Sequence, residues 1–384
     1  MSHINDSQQQ TLIQAVNNQL TKDGYQIVKP IRLSQNWSHG DITELTELSY
    51  QDQTGYQGLT QVRCEQKDHM VKWQLLPIKN KCTSPLESEI TNIRQLKQQV
   101  TNWPSRLLSY QFLTPSTLLI KSHQWRFDGL VMPFFELGSL KYYLADTTLS
   151  AQNKLQLAIQ MAVSIQQLHD AGWIHGDIKP SNFLVSKIHR VNGQLDAKSR
   201  VVDNDSTELV IFLNDLAYAQ QIGLSTQFGK ISQLNKGADI KGASIKATDI
   251  KDTNMAKISG TPAYLAPECW HGQPISIQSD LYAFGVSLFE LFAEQKPYSL
   301  VRDAGFYQSN EENSRTAIIE KMSIEQTSAK AWARLHCQKE IPLLPYQWER
   351  LQPIIDKLLA KRIENRYQSI DEIIDVLQVL KNPV

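Results

Sequence analysis

Neither sign of charge is in excess in this sequence: Lys and Arg number 39, Asp and Glu number 39, and the formal net charge is +0. So balanced a chain has no general field to draw in nucleic acid, anionic lipid or acidic substrates. No nucleic-acid partner is expected, and any partner must be recognised at a site. Cysteine is scarce too. Cys64, Cys82, Cys269 and Cys337 stand far apart with no CxxC or CxxxC pair, which argues against a zinc knuckle or a disulfide framework and fits a reduced setting. Long apolar runs are also missing. The strongest, near Leu281 to Ala293, is too short and interrupted to cross a bilayer, and the opening MSHINDSQQQ lacks the apolar centre of a signal peptide. The expectation is a cytoplasmic protein with no membrane span.

What is present suffices for two packed lobes: 384 residues, 41% of them hydrophobic, lie at the upper end of what one core holds. In the polar stretch to Gly24, Leu12, Ile13, Val16 and Leu20 recur at helical spacing, which predicts a short amphipathic helix packed on the body. From Tyr25 to about Leu76 β-branched and alternating segments dominate, and TQVRCEQKDHMVKW reads as two strands joined by a tight polar turn. Pro85 to Val100 reads as a helix with Ser84 as its N-cap and Leu86, Ile90, Ile93, Leu96 and Val100 in one stripe. Short strands follow around Leu118 to Lys121 and Gly129 to Met132. After Leu140 the long apolar stretches, LQLAIQMAVSIQQLHDAG and SDLYAFGVSLFELFAE among them, have helical period. A mostly β first part and a mostly α second part make the fold class α+β rather than alternating βαβ.

Two polar insertions interrupt the second part. Ser186 to Glu208 reads as an extended hairpin turning at Asn192-Gly193. Gly223 to Ile258 contains KGADI KGASI KATDI KDTNM, in which Ile240, Ile245, Ile250 and Met255 return every five residues, like the pentapeptide repeats of right-handed β-helices. A lone coil of that kind has no neighbour on which to bury its faces, so a low-complexity loop is the plainer expectation. This insert is also the candidate surface for a partner or for self-association.

The stretch HGDIKPSN, Asp177 to Asn182 with its lead-in, offers a carboxylate, an ammonium two residues on and an amide three further. Such a set suits metal-bound phosphate: a carboxylate accepts a hydroxyl proton, a lysine neutralises the moving group, and an amide oxygen serves a hard cation. A second carboxylate, Asp215, ends the apolar strand VIFLND and could complete a Mg2+ site with Asn182.

Taken with SGTPAYLAPE, SDLYAFGVSLFEL and ENRYQS, these motifs resemble a protein kinase from roughly Tyr25 to Leu380. HGDIKPSN is similar to the catalytic loop HRDxKxxN, NDLA to the DFG region, and SGTPAYLAPE to the end of an activation segment with its APE motif. The resemblance implies a two-lobed kinase fold: a polar helical extension over 1–24, a small mainly β lobe over 25–135, and a larger mainly α lobe over 136–384 with polar inserts at 186–208 and 223–258. It implies ATP and Mg2+ as cofactors and a protein substrate with a Ser or Thr acceptor. Asp177 would be the base and Lys179 would sit on the γ-phosphate, with Asn182 and Asp215 on the metal. Lys72 in HMVKW would grip the α- and β-phosphates with Glu89 as its helix partner. Glu87 is the rival, and Glu89 is preferred because Ile93 and Leu96 then share its face. In LVMPFFELGSL, Met132 would back the adenine pocket and Phe135 would offer backbone groups to the base, with Leu184 also on the cofactor side. Asp280 would hold the catalytic loop backbone, and Arg366 would pair with Glu268.

Four departures accompany the resemblance. The glycine-rich loop is missing from IRLSQNWSHGD, and the nearest substitute is GYQG, Gly55 to Gly58. DFG reads Asp215-Leu216-Ala217. Met70 stands where an alanine normally lies over adenine, and Gly176 replaces the arginine that receives a phosphorylated activation loop in many kinases. Three readings stay open: an active Ser/Thr kinase, a nucleotide-binding scaffold with weak or no transfer, and a small-molecule phosphotransferase, whose relatives also carry HGD.

Overall fold

Two tight turns with left-handed residues set the register of the first sheet. Glu65 and Gln66, with φ of 48° and 61°, join β3 (Gln53–Cys64) to β4 (Lys67–Pro77), and Lys121 and Ser122, at 46° and 66°, join β6 (Ser116–Ile120) to β7 (His123–Pro133). Positive φ at both central residues matches the twist of a two-residue hairpin. The structure is a computed structural model that describes residues 6–29, 46–50, 53–78, 84–191, 194–196, 207–223, 260–300 and 329–381. The IRLSQNWSHGD segment, the Asn192-Gly193 turn and the KGADI repeats lie outside the described residues. By its contacts the chain forms two compact units, Met1–Tyr143 with Leu184–Ala217, and Leu144–Phe183 with Tyr218–Val384.

The first unit is mainly β. Its larger sheet runs β1 (Gln26–Lys29), β3, β4, β7, β5 (Gln111–Phe112), with β2 (Thr46–Tyr50) also on β3 and β6 also on β7. A smaller sheet runs β10 (Gln194–Asp196), β9 (Phe183–Val191), β11 (Thr207–Leu213). Antiparallel pairing sets Met70 opposite Met132, Lys72 opposite Leu130, and Trp73 opposite Gly129. Successive side chains alternate between faces, so Lys72 and Trp73 serve opposite sides of the sheet. On the Trp73 face, Val62, Val71, Leu75, Phe127 and Val131 pack with Leu12, Val16 and Leu20 of α1 (Asp6–Lys22) into one buried cluster. Each of these α1 side chains contributes about 1.5–3 kcal/mol by leaving water. The 3.6-residue stripe read from the sequence is thus what attaches the helix. A charge at Val16 would detach it.

α2 (Pro85–Gln99) begins where the Ser84 hydroxyl accepts the Glu87 N–H at 3.0 Å, and it buries Leu86, Glu89, Ile90, Ile93 and Leu96. Glu89 is the one charge within that apolar stripe, which is why it needs a partner. α3 (Leu140–Asp146) runs across the division between the units.

The second unit is mainly α. Its helices are α4 (Ala151–Asp170), α5 (Pro267–Trp270), α6 (Ile277–Ala293), α7 (Ala329–Gln338), α8 (Gln352–Leu358) and α9 (Asp371–Lys381), and α4 packs on β8 (Trp173–Ile174), which pairs with β12 (Gln220–Gln221). α6 is buried on nearly every side from Ser279 to Phe289, as suits a central helix, and a capping box between Ser276 and Ser279 starts it. Gly285 lets α8 approach: a Cβ there would lie 2.7 Å from the Leu358 Cβ.

Candidate active site

In the first unit, Lys72 on β4 meets two carboxylates. Its Nζ lies 2.6 Å from Glu89 Oε2 and 3.2 Å from Asp215 Oδ1. Glu87 is turned elsewhere and pairs with Arg126 at 2.9 Å, so the geometry chooses Glu89 of the two candidates. Burial alone would lower the Lys72 ammonium, but Asp215 and Glu89 outweigh it and raise it. Burial pushes the Glu89 carboxyl up to about 7, against the pull of Lys72. Both effects follow from charges held in a dry place: the cation is kept charged by two anions, and the more deeply buried anion carries the desolvation cost. Asp215 itself stands in the left-handed region, at φ 69°.

The adenine-side residues of the sequence reading belong to this same unit. Met132 and Met70 are both buried and directly paired across β4 and β7. The Phe135 ring lies 5.6 Å from that of Phe212, and its carbonyl accepts the Gly138 N–H at 3.0 Å. Leu184 bridges to Ser139, and Val185 donates to the Gly138 carbonyl at 2.9 Å. The substitute glycines are a correction. Gly55 and Gly58 lie inside strand β3, paired with Leu48 and Trp73, and not in a loop. A Cβ at Gly58 would sit 2.6 Å from Trp73 Cζ2, so that glycine makes room for an indole.

In the second unit the residues of HGDIKPSN converge with Thr261. Asp177 is buried, its Oδ2 lies 2.6 Å from Lys179 Nζ, and its Oδ1 accepts the Thr261 N–H at 2.9 Å. Lys179 also donates to Thr261 Oγ1 at 2.6 Å. Asn182 Nδ2 donates to the Asp177 carbonyl at 2.8 Å. A carbonyl only accepts, so the end of the amide that faces it is the nitrogen, and Asn182 Oδ1 takes no part in this bond. Asp280 accepts the His175 and Gly176 N–H groups at 2.7 and 2.9 Å, and His169 Nε2 lies 2.9 Å from its Oδ2. Arg366 and Glu268 form a buried two-pronged pair, each contact 2.8 Å, with Ser279 donating to the same carboxylate at 2.7 Å.

Gly176 has a steric reason. Its φ is +77°, and a Cβ there would lie 2.8 Å from the Tyr218 carbonyl oxygen and 2.9 Å from Ile275 Cδ1. In this loop no side chain fits at the position without movement.

The protein kinase domain family matches residues 117–379, well over half of the chain. The chain belongs to the protein kinase family. Among curated proteins, this kinase domain is 24% identical over 258 residues to the serine/threonine-protein kinase PknD of Protochlamydia amoebophila, covering 63% of the chain and 21% of that protein. It is 26% identical over 254 residues to a probable serine/threonine-protein kinase of Clostridium acetobutylicum, covering 66% of the chain and 28% of that protein. The probable serine/threonine-protein kinase PknB of Lactococcus lactis is 25% identical over 248 residues, with 63% and 28% covered. The chain thus aligns with about a quarter of the length of these relatives.

The family match begins after Lys72 and Glu89, so in this kinase the sheet-side cluster stands on its geometry alone. Two residues that fasten it were not legible in the sequence. Tyr110 donates to Asn214 Oδ1 at 2.5 Å and accepts the Asp215 N–H at 3.2 Å, and Asn92 donates to the Leu216 carbonyl at 2.8 Å. An aromatic just before β5 and an amide inside α2 carry no motif, and only the fold brings them to the turn that carries Asp215. Among the described residues no helix is long and apolar enough to cross a membrane.

Proposed function

We propose that this chain transfers the γ-phosphate of ATP to Ser or Thr hydroxyls of proteins. The observation that carries the reading is the closed set Asp177, Lys179 and Thr261, in which the carboxylate and the ammonium are each fixed by two contacts. Asp177 is the base that orients the acceptor hydroxyl, and Lys179 neutralises charge on the transferring group. The bond from Lys179 to Thr261 ties that group to the segment ending in APE, which favours a peptide acceptor over a small molecule. The relatives, named as serine/threonine-protein kinases, support the same acceptor class.

ATP and Mg2+ fit the donor set. Lys72 offers a fixed cation to the α- and β-phosphates, backed by Glu89, while Met132, Phe135 and Leu184 serve the base. Asp215 in the first unit and Asn182 in the second each present a hard oxygen of the kind Mg2+ takes. When bound, Mg2+ supplies neutralisation of the charge that develops on the phosphoryl oxygens.

A scaffold that binds nucleotide without transfer is the second reading, favoured by the missing glycine-rich loop ahead of Lys72, since Gly55 and Gly58 are held inside strand β3. The test is incubation with Mg2+ and γ-labelled ATP, with and without an added protein acceptor, comparing wild type with Asp177→Ala. Label on protein in the wild type alone is expected. Label in both or in neither counts against transfer by Asp177, and a melting shift with ATP but no label favours the scaffold. Label only on an added sugar or amine indicates a small-molecule kinase.

A further inference from the structure

Tyr110 reads as ordinary core from sequence, and its ring is indeed buried. Its surroundings in the first unit are more specific. The segment that leads to it is stitched to β11, with Leu213 donating to the Arg106 carbonyl at 2.8 Å and Leu108 donating to the Leu213 carbonyl at 2.9 Å. Lys97 of α2 donates to the Tyr110 carbonyl at 2.6 Å. The backbone is therefore held from two sides before the hydroxyl makes any contact. That hydroxyl donates to Asn214 Oδ1 at 2.5 Å and accepts the Asp215 N–H at 3.2 Å.

The residue it grips needs gripping. Asp215 holds φ 69°, a region that a residue with a Cβ occupies only when its surroundings impose it. Glycine is absent from this turn, which reads Asn214-Asp215-Leu216-Ala217. Asn92 fastens its far side through the Leu216 carbonyl at 2.8 Å.

We propose that Tyr110 is a positioning residue: its hydroxyl fixes the Asn214–Asp215 peptide, holds the Asp215 carboxylate at Lys72, and keeps it aimed for a divalent cation. The inference rests on the reading of Asp215 as a Mg2+ ligand and adds the device that fixes it. A phenylalanine would fill the same volume and leave the Asp215 N–H without this acceptor, so the oxygen alone is at issue. Burial, then the charge of Glu89, raises the Tyr110 hydroxyl well above its usual value, which keeps it a donor.

Two measurements on the full chain test this. In hydrogen exchange of the ligand-free protein, Tyr110→Phe is expected to speed the amides of Asp215, Leu216 and Ala217 at least tenfold while those of α4 stay unchanged. In nucleotide binding, Tyr110→Phe is expected to reduce the gain in ATP affinity on adding Mg2+ at least tenfold, with Mg2+-free ATP affinity within twofold of wild type. Asn214→Ala removes the acceptor without touching the ring and is expected to give the same exchange pattern, so a Tyr110→Phe chain that fails to fold does not end the test. Unchanged exchange at Asp215 in both variants overturns the proposal, as does an equal loss of affinity with and without Mg2+. Faster exchange at the turn in a protein whose wild type gains no ATP affinity from Mg2+ supports the grip and overturns the nucleotide reading instead.

Discussion

The two units use buried charge in different ways. In the second unit, Asp280 spends its carboxylate on backbone, accepting two loop N–H groups and facing His169, while Glu268 and Arg366 close on each other in a two-pronged pair. In the first unit, Lys72 is held by the side chains of Glu89 and Asp215, and the turn that carries Asp215 is fastened through Tyr110 and Asn92. A carboxylate that fixes backbone sets a geometry. A carboxylate that fixes a lysine sets an affinity. Damage in the second unit should therefore fall on turnover and stability, and damage in the first on nucleotide binding.

The largest break is Asp280→Ala. It takes the shared acceptor from the buried His175 N–H and the half-buried Gly176 N–H, and a loss of about 3–5 kcal/mol in urea unfolding is expected. Turnover falls with it while ATP affinity stays within twofold. An affinity that drops as far as turnover would abolish the distinction between the units.

Glu268 and Glu89 sharpen the comparison through pH. Burial alone would raise Glu268, but the Arg366 hydrogen bonds outweigh it and hold its carboxyl below the usual 4.5. A depressed folded value means the unfolded chain takes up protons first, so this stabilisation is present above 4.5 and is lost as pH falls through the folded value. Glu268→Gln is expected to cost about 3 kcal/mol at neutral pH, by breaking a buried pair, and to flatten the acid limb of the stability curve. Glu89 has the opposite sign. Its folded value near 7 means the folded state binds the proton more tightly between 4.5 and 7, so this group's contribution falls as pH rises through that window.

Gly176→Ala is the next smaller effect. The left-handed backbone costs about 1–2 kcal/mol for a residue with a Cβ, and the Tyr218 oxygen at 2.8 Å adds strain, for a total of about 2–3 kcal/mol by thermal or urea unfolding. Gly176→Arg is expected to be no better. If it instead stabilised the protein, the loop would have to rearrange easily, and its anchoring by Asp280 would not be rigid.

How much of this was readable beforehand differs between the units for physical reasons. The HGDIKPSN cluster was legible as a cluster because Asp177, Lys179 and Asn182 are close in sequence, and the structure adds the distances among them. Strand pairing and the α1 stripe were legible from period, Leu12, Val16 and Leu20 included. β7 begins at His123, earlier than the strand read around Gly129, because a strand edge carrying Gln124, Arg126 and Asp128 looks polar in sequence. The glycines were misread for a related reason. Gly58 is required by Trp73 on the neighbouring strand, and sequence near a lysine cannot distinguish room for an indole from room for a phosphate. Tyr110 escaped because its role depends on long-range contacts with Asn214 and Asp215.

The smallest effects decide the first unit. Glu89→Gln removes the buried partner of Lys72 and is expected to weaken ATP binding at least tenfold at pH 8, about 1.4 kcal/mol. Wild-type affinity should fall as pH drops through about 7, because a protonated Glu89 no longer pairs with Lys72, and Glu89→Gln should lose that dependence. Glu87→Gln is the contrast on the same helix. Its pair with Arg126 is 31% and 38% exposed, so it is worth about 0.2–1 kcal/mol, and ATP affinity should change less than twofold. Equal losses from the two variants would mean that the place of α2, and not the charge beside Lys72, governs binding, and the distinction between affinity-setting and geometry-setting carboxylates would then fail within the first unit itself.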